Sequence, residues 1–380
     1  MKFRVDRDVL ADAVAWAART LPVKPSIPVL AGLLIEASDE GLVLSSFDYE
    51  TSARATLAAE VSDEGKALVS GRLLADICRS LPNKPVDLAL DGARVALTCG
   101  SSRFSLQTLP VEDYPTIPDM PSASGTVASD TFAHAVAQAV TAAGRDEMLP
   151  VLTGVRVEIE GDTISLLATD RFRLSLRELT WNPGTPDASL AALVPAKVLA
   201  DTAKSLTVGP EITIALAGSD SGEGLIGFEG TGPGGRRRTT TRLLDGEFPK
   251  VRGLFPTERL TVAKIAKADL IESVKRVSLV AERNAAVQLA FHDGALTLDA
   301  GSGDQAQASE SVEAEIEGDD LTTGFSPQYL LDGLTAIDES VVELAFTQAS
   351  KPVVISGTGD DAAEDDGSFR YLLMPRRLLS

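Results

Sequence analysis

Val69-Ser70-Gly71-Arg72-Leu73-Leu74-Ala75-Asp76 decides the reading of this chain, because the same word is written three times. Val194-Pro195-Ala196-Lys197-Val198-Leu199-Ala200-Asp201 is its second copy and Phe325-Ser326-Pro327-Gln328-Tyr329-Leu330-Leu331-Asp332 its third. In each, a strand-like residue leads into a polar cap region, then a long polar residue, two apolar residues and an aspartate. Ser70 and Ser326 suit an N-cap, and Pro195 and Pro327 fit a helix start.

Working outward, each copy is preceded by two further markers. One is an amphipathic helix with apolar residues at steps of four, three and four, the spacing that keeps one stripe dry. Leu10, Val14, Ala17 and Leu21 show it first, then Phe132, Val136, Ala139 and Ala143, then Leu270, Val274, Val277 and Ala281. The other is an alternating strand: Leu42 and Leu44, Ile164 and Leu166, Leu296 and Leu298. The intervals from helix to strand to second helix are 34 and 25 residues, then 34 and 28, then 28 and 27. Conserved order and spacing across 380 residues mark an internal repeat of helix, strand and helix, each unit of about 120 residues being large enough for its own core. Three similar units end to end predict an arc rather than an active-site crevice. The fold class expected is α+β, with antiparallel strands carrying two helices per unit, the helices on one side of the sheets.

The apolar fraction of 44% and charged fraction of 24% are those of a globular chain, and no apolar run is long enough to cross a bilayer. Met1-Lys2-Phe3-Arg4-Val5-Asp6-Arg7 alternates and carries charge, so it reads as a strand rather than a signal peptide, and a cytoplasmic location is expected. Cys78 and Cys99 are the only cysteines, too few for a disulfide framework, and are expected to be reduced and partly buried. A net charge of −20 argues against a protein that finds nucleic acid by overall attraction. Any DNA contact requires uneven charge: acid in loops such as 360–366, base on helices carrying Arg72, Arg79, Lys197, Lys204, Lys264, Lys267, Lys275 and Arg276.

Proline-bearing connectors from Leu109 to Gly125 and from Phe248 to Pro256 separate the copies and should be semi-rigid, since proline fixes φ and restricts its predecessor. The stretch from Gly218 to Gly235 reads as a hairpin loop or excursion before the polar strand Arg236–Leu244. Within it, Gly222-Glu223-Gly224-Leu225-Ile226-Gly227 matches a dinucleotide fingerprint and raises a nucleotide-binding enzyme as the alternative function. The match is weak, because the run carries a glutamate and leads into strand-like residues instead of opening a helix. His134 and His292, the only histidines, have no partners at metal or triad spacing, and neither a Walker A loop nor a G-x-S-x-G elbow is present. No catalytic residue, cofactor site or metal site is assigned.

The closing segment Tyr371-Leu372-Leu373-Met374-Pro375-Arg376-Arg377-Leu378 resembles that of the bacterial DNA polymerase III β subunit family, the replicative sliding clamps. So do Met1-Lys2-Phe3, Pro28-Val29-Leu30-Ala31-Gly32-Leu33-Leu34, Asp76-Ile77-Cys78-Arg79-Ser80-Leu81-Pro82 and Ser102-Arg103-Phe104-Ser105-Leu106-Gln107-Thr108-Leu109-Pro110. Ala168-Thr169-Asp170-Arg171-Phe172-Arg173-Leu174 and Asp245-Gly246-Glu247-Phe248-Pro249 complete a resemblance that runs in order along the whole chain. It implies three clamp domains, at 1–121, 126–250 and 256–380. It also implies a head-to-tail homodimer, a ring with helices lining the hole and sheets outside, which encircles duplex DNA and tethers the polymerase without catalysing a reaction.

By the same resemblance, DNA would be touched by Lys24, Arg72, Arg145 and Lys197, although the aromatic pair some relatives carry near Arg145 is Pro150-Val151 here. The dimer interface would use Phe104, Leu106 and Leu279. The replicative polymerase α subunit, the clamp loader, and other polymerases and repair proteins would insert short motifs into an apolar groove. Its implied walls are Leu152, Thr169, Arg171, Arg173, Leu174 and Pro249, then Gly253, Leu254 and Pro352. Leu372, Leu373, Met374, Pro375, Arg376, Arg377 and Leu378 close it. Arg171 stands where many relatives have glycine, Gly253 where some have arginine, and Arg376 where the closing motif is apolar, so a more basic rim is expected.

Overall fold

The repeat reappears in the computed structural model, which describes residues 1–216, 224–282, 285–301, 306–358 and 369–377. Three eleven-residue helices, α1 (Arg7–Ala17), α3 (Ser129–Ala139) and α5 (Lys267–Val277), each tighten into a three-residue 3-10 turn. Three ten-residue helices, α2 (Gly71–Ser80), α4 (Ala196–Ser205) and α6 (Pro327–Ala336), follow in alternation. The stripe residues Leu10, Val14, Phe132, Val136, Leu270 and Val274 are all at most 1% exposed, as are the strand residues Leu42, Leu44, Ile164, Leu166, Leu296 and Leu298.

Helix starts differ from the sequence reading in one respect. Ser70 and Ser326 do occupy N-cap positions, yet neither side chain bonds its first turn, whereas Asp6 accepts from Asp8 and Val9 amides at 2.9 and 3.2 Å. Pro327 opens α6, but Pro195 is the last residue of the strand Ser189–Pro195. Helices α2 and α4 begin at the residue after a strand ends, while α1 and α6 follow theirs after the single residues Asp6 and Ser326. Lys264 is also on a strand, Thr261–Ala266, not a helix.

The chain divides into two compact units, 1–133 with 181–194 and 198–243, and 134–180 with 195–197 and 244–380. The middle copy therefore contributes to both. In the first unit, fourteen described strands form one antiparallel sheet. Strand Thr51–Leu57 of the first copy pairs with Gly235–Arg242 of the second, Ala53 opposite Thr239, and buried hydroxyls bridge the seam: Thr51 to Thr241 at 3.0 Å and Ser52 to Thr240 at 2.6 Å. Arg237, buried on that strand, pairs with Asp12 of α1. The first copy closes a core of Phe3, Leu10, Val14, Trp16, Leu33 and Leu97. Cys78 and Cys99 lie in it as free thiols at 0% exposure, deeper than expected.

The excursion from Gly218 to Gly235 is shorter than the sequence reading. Residues 217–223 lie outside the described residues, but Leu225–Gly232 is a strand that pairs with Gly235–Arg242 through a turn at Gly234 (φ 80°). Its glycines make room for neighbours: a Cβ at Gly227 would come within 2.6 Å of Met120. With Gly224 leading into a strand, the described part of the fingerprint opens no helix for a pyrophosphate.

In the second unit, an antiparallel sheet contains the sequence of neighbours Gly154–Glu160, Thr163–Thr169, Arg173–Thr180, Phe369–Leu373, Val353–Thr358, Val341–Phe346 and Thr261–Ala266. The junction of the second and third copies is the pairing of Arg173–Arg177 with Phe369–Leu373. A four-stranded sheet, Ala308–Glu313, Ala295–Ala300, Val287–His292 and Leu321–Phe325, completes the unit. Arg276 of α5 holds the edge strand of that sheet through Glu310. No described helix is long and apolar enough to cross a membrane. The architecture is α+β, three tandem domains of antiparallel sheet with two helices each.

Candidate partner groove, basic positions and sheet edges

A tight turn between Thr163–Thr169 and Arg173–Thr180 holds the centre of the candidate groove. The Asp170 carboxylate accepts from the Phe172 and Arg173 amides at 3.0 and 3.1 Å, and the Thr169 hydroxyl accepts from the Arg171 amide at 3.2 Å and donates to the Arg173 carbonyl at 2.7 Å. Local side-chain acceptors thus replace ladder bonds and hold Arg171 at φ 80°, a left-handed conformation uncommon for a residue with a Cβ. The turn pushes Phe172 outward, 51% exposed, and turns Arg173 inward, 5% exposed.

Arg173 is caged. Its guanidinium meets Asp170 at 2.9 Å and Asp332 at 2.6 Å, and lies 4.2 Å from the Tyr329 ring centroid. Burial alone would favour losing its proton, but Tyr371, Asp332 and Asp170 together hold the guanidinium more firmly charged than usual. Burial likewise pushes the Tyr371 hydroxyl up, and that hydroxyl donates to the Tyr329 carbonyl at 2.9 Å.

Beside the turn, the C-terminal strand runs antiparallel, Arg173 opposite Leu373 and Leu174 opposite Leu372, and the Met374 amide donates to the Phe172 carbonyl at 2.9 Å. Leu174, Leu372 and Leu373 are at most 2% exposed, so they lie beneath the surface as a floor rather than as walls. Met374 is 39% exposed and Pro352 precedes Val353, the residue paired with Leu373. Pro375, Arg376 and Arg377 follow, with the Arg376 amide bonded to the Gly324 carbonyl at 2.8 Å; Leu378 lies outside the described residues.

Pro249 and Gly253 line a cavity of about 240 Å³ with Leu167, Phe248 and Val251. Its rim is the turn Arg252–Leu254, tied down by Arg252 to Glu158 at 3.0 Å and Glu178 at 3.2 Å, with Leu254 55% exposed. Burial would raise the Glu158 carboxyl, but hydrogen bonds from Arg156 and Arg252 hold it below its usual range. Leu152 is buried at 8%, its carbonyl accepting from the Gly144 amide at 2.7 Å. Sequence reading missed Phe172 and Tyr329, whose rings stand 6.4 Å apart at the turn. A phenylalanine at a hairpin tip next to Asp170-Arg171 was the available signal.

The four basic positions are all exposed: Lys24 in a loop, Arg72 on α2 with its guanidinium donating to the Leu21 carbonyl at 3.3 Å, Lys197 at the second position of α4, and Arg145. Arg145 borders a cavity of about 560 Å³ between α3 and α6, where His134 meets Asp338 at 2.6 Å.

At the predicted interface, Phe104 is 37% and Leu279 84% exposed. Leu106 shares a strand face with Phe104 and, at 3% exposure, packs into the first copy's core. The strand Ser102–Leu109 is bonded along Arg94–Cys99 on one side and pairs with its other neighbour at Leu109 and Thr108, so among the described residues Ser102–Gln107 is an open edge. The second unit has an edge of its own in Ala308–Glu313.

The models of the N-terminal, central and C-terminal domains of the DNA polymerase III beta subunit match residues 1–118, 126–250 and 252–376. The chain is 59% identical over 378 residues to the beta sliding clamp of Streptomyces coelicolor, covering all of both chains. It is 45% identical to the beta sliding clamp homolog GriR of Streptomyces muensis over 99% of each. The DNA polymerase sliding clamp of Bacillus subtilis superposes with a TM-score of 0.91 at 25% identity over the full length of both chains. A griselimycin-bound sliding clamp from Pseudomonas aeruginosa gives 0.90 at 26%, again over both full chains. Matched domain by domain and end to end, the chain belongs to the DNA polymerase III beta subunit family, the sliding clamps, which hold a polymerase to its template and have no catalytic site.

Proposed function

We propose that two copies join head to tail, the open edge Ser102–Gln107 of one against the edge strand Ala308–Glu313 of the other, with Phe104 and Leu279 closing over the seam. The observation supporting this is that each of these strands has an open side among the described residues, since an exposed strand edge invites pairing and two identical heterologous contacts can close a ring. Duplex DNA passes through that ring, in the cytoplasm. A chain of net charge −20 holds polyanionic DNA by enclosure rather than by grip. Lys24, Arg72, Arg145 and Lys197 supply weak, sequence-independent phosphate contacts that permit sliding. The replicative polymerase, the clamp loader and repair proteins dock short motifs on the groove around Phe172 and Met374.

Loading onto nicked circular and linear DNA tests this. The protein should persist on circles and leave linear ends rapidly, the difference disappearing when the circle is cut. Equal lifetimes on both would refute enclosure.

A further inference from the structure

Arginines gather on the face of the first unit's sheet that points away from α1. Ala53, Ala55 and Leu57 turn to the core, and Arg237 turns to Asp12 on that side, so Arg54, Thr56, Arg236 and Arg238 lie on the opposite face. Arg54 stands directly across from Arg238, and Thr56 across from Arg236. Like charges so placed repel each other. Glu229 answers two of them, bonded by Arg238 at 2.5 and 2.8 Å and 3.9 Å from Arg236. The Arg54 side chain has no hydrogen bond or ion pair among the described residues. Arg236 is 78% and Arg238 36% exposed at the side chain, and Arg54 is half-buried, so the face is within reach of a partner. The second unit supplies more acid at the equivalent place. Asp170 caps the Phe172 and Arg173 amides as Asp48 caps those of Glu50 and Thr51, which aligns Leu176 with Arg54 and Glu178 with Thr56. There Leu176 faces Arg370, and Glu178 pairs with Arg252 at 3.2 Å and with Arg370 at 3.9 Å. At these two positions the first unit has one more cation and one fewer anion.

We infer that this face is a docking surface for an acidic, extended segment of a partner protein, seated across Arg54, Arg236 and Arg238. Charge complementarity identifies the occupant. In a chain of net charge −20, three arginines sharing Glu229 are a local positive surplus on a rigid sheet. Spacing fits as well: residues two apart on a strand stand about 7 Å apart, as Arg236 and Arg238 do, and an extended peptide with acids at alternate positions presents its carboxylates at the same interval. Guanidiniums offer such carboxylates paired planar donors. Three arginines are too few to hold nucleic acid against the repulsion of the whole chain. The face belongs to the first unit and the turn at Phe172 to the second, so the inference stands apart from the groove reading.

The test uses the full-length protein and two fluorescein-labelled peptides, one alternating glutamate with threonine and the other with glutamine in place of each glutamate. At about 0.1 M salt the screening length of about 10 Å damps distant acid and spares contact pairs. Fluorescence anisotropy should then show the glutamate peptide bound roughly tenfold more tightly, the scale of two or three exposed ion pairs. Thr56→Glu, which puts at an exposed position the acid that the second unit has in Glu178, should remove the preference, and so should Arg54→Leu. Arg54→Lys, which keeps the charge, should retain most of it. Equal binding of the two peptides by wild type, binding of neither, or a preference that survives either Thr56→Glu or Arg54→Leu overturns the inference. A preference abolished by Phe172→Ala would seat the peptide at the groove and overturn it too, leaving the groove reading intact. Thr56→Glu should persist on circular DNA as wild type does; a shorter lifetime would assign the face to DNA retention instead of a protein partner.

Discussion

Arg173 and Asp332 meet at 2.6 Å although 159 residues separate them in the chain. The contact joins the turn that presents Phe172 to helix α6, and it leaves Arg173 only 5% exposed against 26% for Asp332. A guanidinium buried so deeply depends on its acidic partners, because removing one leaves charge in a poorly solvated place.

Asp332→Asn should therefore lower stability by about 1–3 kcal/mol, the remaining Asp170 pair preventing a larger loss. Urea unfolding measures it. An unchanged midpoint would mean that the pair contributes nothing net.

Phe104→Asp and Leu279→Asp should give folded monomers, with native circular dichroism and a halved sedimentation mass, since both side chains are exposed in the single chain. Leu106→Asp should instead unfold the first domain, a charge in that core costing several kcal/mol. If Leu106→Asp gave a well-folded monomer, its placement in the core would be wrong.

Both thiols should be silent to Ellman's reagent in the folded protein at pH 8 and react fully in guanidinium. Burial pushes the Cys78 thiol up to about 12, so little thiolate exists to react. Rapid labelling of the native chain would contradict the buried placement of Cys78 and Cys99.

Glu158 and Glu310 should make the protein acid-sensitive. Hydrogen bonds from Arg156 and Arg252 outweigh the burial penalty at Glu158, and those from Arg276 and Ser273 hold Glu310, leaving both carboxyls below the ordinary 4.5. A depressed carboxyl contributes stability that is fully present above its unfolded value and is lost as pH falls through its folded value. Arg252→Gln should cost under about 1 kcal/mol at neutral pH, because Arg252 is 45% exposed, and nothing in strong acid. Melting curves across pH decide it; a gap between the two proteins that is constant with pH would remove Glu158 as the cause.

Sequence alone determined the repeat. Apolar stripes at four, three and four, alternating strands and recurring helix starts are local patterns, and the helices they specify come out at eleven and ten residues in every copy. Resemblance supplied the family and most candidate positions. Tertiary structure decided what each position does. Asp76, Asp201 and Asp332 occupy equivalent places in the repeated word, yet Asp76 pairs with Arg79 one turn away while Asp332 reaches across to Arg173. Phe104 and Leu106 look alike in sequence, and only packing leaves one exposed and buries the other in the core. Periodicity records which face of an element is dry, whereas partner choice depends on which strands the folded sheet brings side by side, and that is fixed only when residues far apart in the chain are buried together.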